Sequence, residues 1–92
     1  MATINLQQKY TVPRDELKAK LQQLADEMVA RYQLNCRWDN DDCLSFKRSG
    51  ASGEIVIKED ALVFTMKLGM LLGAFKTSIE KEVQQFMDEH IH

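Results

Sequence analysis

The chain has 92 residues, 45% apolar and 28% charged, with 12 Lys and Arg against 14 Asp and Glu for a formal charge of −2. Those proportions fit a soluble globular protein with one modest core, since a chain this size buries roughly 60–65% of the surface it exposes when unfolded. Acids and bases are mixed along the chain, which argues against the concentrated basic patch of a nucleic-acid binder. No apolar run approaches the roughly 18 residues of a membrane span. The opening MATINLQQK lacks the basic-then-apolar order of a signal peptide. The expectation is a single domain over residues 1–92, cytoplasmic, with Cys36 and Cys43 as reduced thiols.

Thr3 to Tyr10 alternates weakly, with Ile4 and Leu6 on one face, and reads as an edge strand. Pro13 suits the first turn of a helix. From there Leu17, Leu21, Leu24, Ala25, Met28 and Tyr32 mark one helical face, and Lys18, Lys20, Gln22, Asp26, Glu27 and Arg31 cover the other. Asp15 and Glu16 in the first turn and Arg31 in the last complement the helix dipole.

Four short alternating segments follow, separated by turn chemistry, and predict an antiparallel meander. Requiring every apolar residue to share a face sets Trp38 opposite Leu44 and Cys36 opposite Phe46, across a turn at Asn40 to Asp42. With Ser49 to Gly53 as a flexible loop, the same rule sets Phe46 opposite Ile55 and Leu44 opposite Ile57. A two-residue turn at Glu59 and Asp60 sets Ile57 opposite Leu62 and Ile55 opposite Phe64. One face then holds Leu34, Cys36, Trp38, Leu44, Phe46, Ile55, Ile57, Leu62, Phe64 and Met66. Cys36 points to that face and Cys43 to the other, so a disulfide between them would need a different pairing. The opposite face carries Arg37, Cys43, Ser45, Lys47, Val56, Val63, Thr65 and Lys67. That mixture leaves room for a homodimer.

The last strand, Ala61 to Leu68, leads through Gly69–Phe75 (GMLLGAF) into an amphipathic helix. Leu72, Phe75, Ile79, Val83, Phe86 and His90 form its stripe. Its start has two readings. Thr77-Ser78-Ile79-Glu80 fits a capping box, which would make Gly69–Phe75 a separate apolar turn. A start near Met70 would make the same residues the helix's first turns. The fold expected is α+β, in the order β-α-β-β-β-β-α. Both helices lie on one face of an antiparallel sheet of about five strands, the first strand closing against the last in a small helix-grip-like shape.

No set of side chains points to catalysis. His90 and His92 sit at a terminus that is expected to fray, with Asp88 and Glu89 as weak additional ligands, so no metal site is expected. Neither cysteine has a histidine neighbour to activate it. Asp39 to Asp42 lacks the glycine and distal glutamate of a calcium loop. The loop at Ser49 to Gly53 links two strands and is not followed by the lysine of a phosphate loop. The expectation is a non-enzyme without cofactor. The chemically informative stretch is the corner, where Met70, Leu71, Leu72 and Phe75 are dense for a connection. Two readings stay open for it: packing into the core or a dimer seam, or exposure for docking onto lipid, polyester or a partner protein.

Several short motifs together resemble one family, the polyhydroxyalkanoic acid system proteins. They are Leu44–Gly50 (LSFKRSG), Gly53–Ile55 (GEI), Leu68–Leu72 (LGMLL), Ala74–Lys76 (AFK) and Ile79-Glu80. Tyr32–Leu34 (YQL) and Arg37-Trp38 extend the match to nearly the whole chain. The resemblance implies association with polyester storage granules or a granule protein, and implies no catalytic residues. Many members carry Gly-Pro where this chain has Thr77-Ser78, and capping by Thr77 then favours a helix break before Ile79. The leading expectation is a non-enzymatic accessory protein that binds a granule surface or granule protein through Met70, Leu71, Leu72 and Phe75. The alternatives are a small carrier holding an apolar or acyl ligand between sheet and helices, and a homodimeric structural module. A cavity larger than about 300 Å³ is the feature a carrier needs.

Overall fold

A computed structural model describes residues 2–91. The elements run β1 (Ala2–Lys9), α1 (Arg14–Tyr32), β2 (Asn35–Asn40), β3 (Cys43–Arg48), β4 (Ala51–Ile57), β5 (Ala61–Leu68), a 3₁₀ segment (Met70–Phe75) and α2 (Lys76–His90). The fold is α+β. Five strands form one antiparallel sheet in the order β1-β5-β4-β3-β2, so the first strand does close against the last. Two-residue turns can join neighbouring antiparallel strands, whereas β1 reaches its place beside β5 only after the chain has passed through α1 and the meander.

One sheet face and the apolar stripes of both helices share a core. Ile4, Leu17, Leu21, Leu24, Met28, Phe46, Ile55, Phe64, Met66 and Val83 are all fully buried in it. Every α1 residue expected on the inner face is buried. On α2 the stripe of Ile79, Val83 and Phe86 is joined by Met87, and Ile91 beyond the helix end is buried too. Cys36 and Trp38 are only partly covered, because β2 is an edge strand and α1 crosses beside it.

Pairings at both ends of the meander match the facial pattern: Trp38 with Leu44, Cys36 with Phe46, Ile57 with Leu62, Ile55 with Phe64. The middle hairpin does not. Phe46 lies opposite Gly53 and Leu44 opposite Ile55, two residues from the expected register. The loop is not Ser49 to Gly53. Arg48 pairs with Ala51 across a tight turn at Ser49-Gly50, and Ala51, Ser52 and Gly53 are strand. Gly50 supplies the backbone conformation the turn needs, with φ of +87°, which side chains rarely adopt.

The first acidic turn also differs slightly. Asn40 pairs with Cys43 after an irregularity at Asp39, leaving Asp41-Asp42 as the turn. The Asn40 side chain accepts the Asp42 N–H at 2.8 Å, which fixes the turn locally. Asp42 and Asp41 then pair with Arg14 and Lys18 of α1. Exposed pairs of this kind contribute about 0–1 kcal/mol, so they orient the turn more than they stabilise it. Trp38 adds a firmer link between edge strand and helix. Its indole N–H donates to Gln22 at 2.8 Å while the Lys18 ammonium sits 5.0 Å above the ring.

The capping-box start of the last helix is overturned. α2 begins at Lys76, and Thr77 makes no capping bond. Phe75 is already in helical conformation, and the Lys76 N–H bonds to the Gly73 carbonyl of the 3₁₀ segment. The preceding turn therefore satisfies donors that a cap would otherwise have to meet. Glu80 pairs with Lys76 at 3.6 Å, and Ser78 bonds the Tyr32 hydroxyl at 2.8 Å. No break falls before Ile79; the break is at Gly69, which is extended.

Candidate functional site

The corner after β5 is built on two glycines. The Gly69 N–H donates to the Gly50 carbonyl at 2.7 Å, which ties the chain leaving β5 to the β3–β4 turn. The Leu72 N–H bonds back to the Gly69 carbonyl at 3.1 Å, closing the first 3₁₀ turn. The Leu72 side chain covers Gly50, with Cδ1 3.3 Å from where a β-carbon would stand.

This clamp sorts the four apolar residues. Leu72 is partly buried and packs against the core. Phe75 is 44% exposed and meets Tyr32 edge to face at 6.0 Å between centroids. Met70 and Leu71 are 87% and 95% exposed. A 3₁₀ turn places successive side chains about 120° apart, so with Leu72 turned inward its two predecessors turn outward. The reading in which all four residues are buried in this chain's core is therefore excluded. Only a seam with another molecule could cover Met70 and Leu71.

Behind the corner lies a cleft of about 460 Å³. Leu34, Met66, Leu68 and Ile79 form its floor, and Arg31 and Arg48 stand among the residues lining it. It sits where the C-terminus of α1 diverges from the end of β5 and the start of α2. Arg48 reaches across to donate to the carbonyl of Tyr32, the last residue of α1, at 2.9 Å.

A family model described as "Putative polyhydroxyalkanoic acid system protein" matches residues 4–91. The chain belongs to that family. No curated protein and no solved structure matches it. The family description names a system and no reaction. Among the described residues of this polyhydroxyalkanoic acid system protein, no helix is long and apolar enough to cross a membrane.

The other candidate side chains fall apart in space. His90 stacks on Phe86 with centroids 4.5 Å apart, and no three potential metal ligands gather among the described residues; His92 lies outside them. The thiols sit on opposite sheet faces: Cys36 donates to the Ala25 carbonyl of α1 at 3.7 Å and Cys43 to Glu54 at 3.4 Å. Burial raises both thiol pKa values, with Asp26 and Glu54 adding to the effect, which favours the protonated thiol over the thiolate at both. Asp39 is held below the usual carboxylate range by hydrogen bonds from Ser45 and Arg37, which fixes the start of the acidic turn.

Glu82 is the one ionisable group at the seam between the two helices that departs from normal. One of its oxygens pairs with Arg31 and the other is buried without a partner. Burial raises its pKa more than Arg31 lowers it. A raised carboxyl pKa means the folded state binds the proton more tightly. The site's contribution is therefore fully present at low pH and is lost as pH rises through the folded-state pKa. Glu82→Gln removes that titration. The difference in Tm, variant minus wild type, is expected to grow as pH rises from 4 to 7. Thermal melts at several pH values, with a difference that stayed flat or shrank, would refute it.

Proposed function

We propose that this protein is a non-enzymatic accessory of the polyhydroxyalkanoate system. It acts in the cytoplasm and docks on the storage granule's polyester surface through Met70, Leu71 and Phe75. Family membership supports the system. The observation that carries the mode of action is the near-complete exposure of Met70 and Leu71 on adjacent positions.

Apart from Phe75 in the same corner and Val29 at 38%, no other large apolar side chain among the described residues is so exposed. The stretch from Gly69 to Phe75 carries no charge, so it can enter an apolar surface without stripping water from an ion. Lys67 and Lys76 flank it and can stay hydrated at the rim. Fully burying a Met or Leu side chain yields about 1.5–3 kcal/mol. Two such side chains, with half of a Phe, give reversible adsorption and not permanent insertion. Leu72 serves differently: it holds the corner to the body and stays with the protein.

The test is co-sedimentation of the purified protein with polyhydroxyalkanoate particles, with liposomes and bare polystyrene alongside. Retention on polyester is expected to exceed that on the other particles and to fall to background in a Met70→Asp/Leu71→Asp variant. Equal sticking to every particle would reduce the corner to a general apolar patch. Unchanged retention in the folded variant would rule the corner out.

A further inference from the structure

The cleft behind the corner has a chemical polarity of its own. Its floor is aliphatic, from Leu34, Ala51, Met66, Leu68 and Ile79. Arginines 31 and 48 are the charged side chains lining it, and no carboxylate lines it, in a chain whose acids outnumber its bases. The volume of about 460 Å³ falls in the range of small-molecule sites, roughly 300–1,000 Å³.

The two arginines are not equivalent. Arg31 is committed to Glu82, whereas Arg48 forms no ion pair among the described residues. Of its five N–H donors, the contact to the Tyr32 carbonyl uses one. A half-buried guanidinium with spare donors at the edge of an aliphatic floor is complementary to a carboxylate on an alkyl chain. The hydroxyl pair of Tyr32 and Ser78, 2.8 Å apart on the same wall, offers a further polar contact near the head group.

We propose that this cleft binds an aliphatic monocarboxylate. Arg48 holds the carboxylate, and the chain lies over Met66, Leu68 and Ile79. Phe75 of the docking corner also lines the cleft, but Met70 and Leu71 do not, so substituting those two separates this site from docking on a granule. Two sources present this chemistry, a free alkanoate and the carboxyl end of a polyester chain.

The experiment titrates octanoate, below its micelle concentration, into protein carrying ¹³C-labelled methyl groups and follows them by NMR. Saturable shifts are expected at the Leu34, Met66, Leu68 and Ile79 methyls. Octanol is expected to bind about tenfold more weakly, as is octanoate to Arg48→Gln, because each loses a charge-assisted hydrogen bond. Arg48→Lys is expected to retain part of the affinity, which separates loss of charge from loss of the contact to Tyr32. Met70→Asp/Leu71→Asp is expected to bind octanoate as wild type does. A linear dimer of 3-hydroxyoctanoate binding more tightly than octanoate assigns the site to polyester ends; the reverse assigns it to free alkanoates. Absence of saturable shifts overturns the proposal. So do shifts confined to Met70 and Leu71, or octanol binding as tightly as octanoate.

Discussion

Gly53→Val is expected to be the most damaging single substitution that adds atoms to the sheet. A β-carbon on Gly53 would stand 2.7 Å from the Thr65 carbonyl oxygen and 3.0 Å from the Met66 β-carbon. The oxygen belongs to the neighbouring strand's backbone, so relief requires moving β5 itself, and β5 pairs on both sides. Overpacking costs about 1–3 kcal/mol where side chains can give way; a backbone clash in a central strand belongs at or above the top of that range. At about 3 kcal/mol, Tm falls by roughly 12–24 °C in a chain this short. Thermal unfolding followed by circular dichroism measures it directly. A loss of only a degree or two would mean that β4 can slide in its register, contrary to the pairing described here.

That same glycine shows how far the sequence could take the fold. A rule that puts apolar residues on one face rejects any register shifted by one residue, because every side chain would then change sides. It is blind to a shift of two. Phe46 opposite Ile55 and Phe46 opposite Gly53 satisfy it equally, and the choice rests on the turn. A longer loop after Arg48 and a two-residue turn at Ser49-Gly50 are both compatible with glycine at 50 and at 53. The tight turn holds because Gly50 takes the positive φ and because Gly53 fits where no side chain can. The outer hairpins had no second glycine to mislead, and their apolar pairings came out as expected.

The candidate site was legible in outline. Density of apolar residues from Met70 to Phe75 marked the corner, yet density cannot tell which residues face outward. The sorting comes from the contact of Gly69 with Gly50, some twenty positions apart in sequence, and from Leu72 closing over that contact. The capping signature at Thr77 and Glu80 falls in the first turn of α2 but makes no cap. Because a 3₁₀ turn already fed the helix, Ser78 and Glu80 were free to bond Tyr32 and Lys76 instead. The arginine-edged cleft left no trace in the sequence, since Arg31 and Arg48 come together only through the end of α1 and the end of β3.

Phe46→Ala is expected to lose about 4–5 kcal/mol, near the upper limit for removing a buried aromatic. Phe46 is fully buried and meets Phe64 edge to face at 6.2 Å. Its partner on β2 is only the small Cys36, and its partner on β4 is Gly53, which has no side chain to relax into the vacated space. Had the partner been Ile55, that side chain could have filled part of the hole and the cost would be smaller. A chain of 92 residues has a total stability of about 5–14 kcal/mol, so this one change would remove about a third of it or more. Urea denaturation of Phe46→Ala and the milder Phe46→Leu measures both. The Met70→Asp/Leu71→Asp variant is the contrast: side chains 87% and 95% exposed can change with effects within about 0.5 kcal/mol. If that variant instead melted several degrees lower, Met70 and Leu71 would be holding the fold together, and their exposure could no longer be attributed to docking.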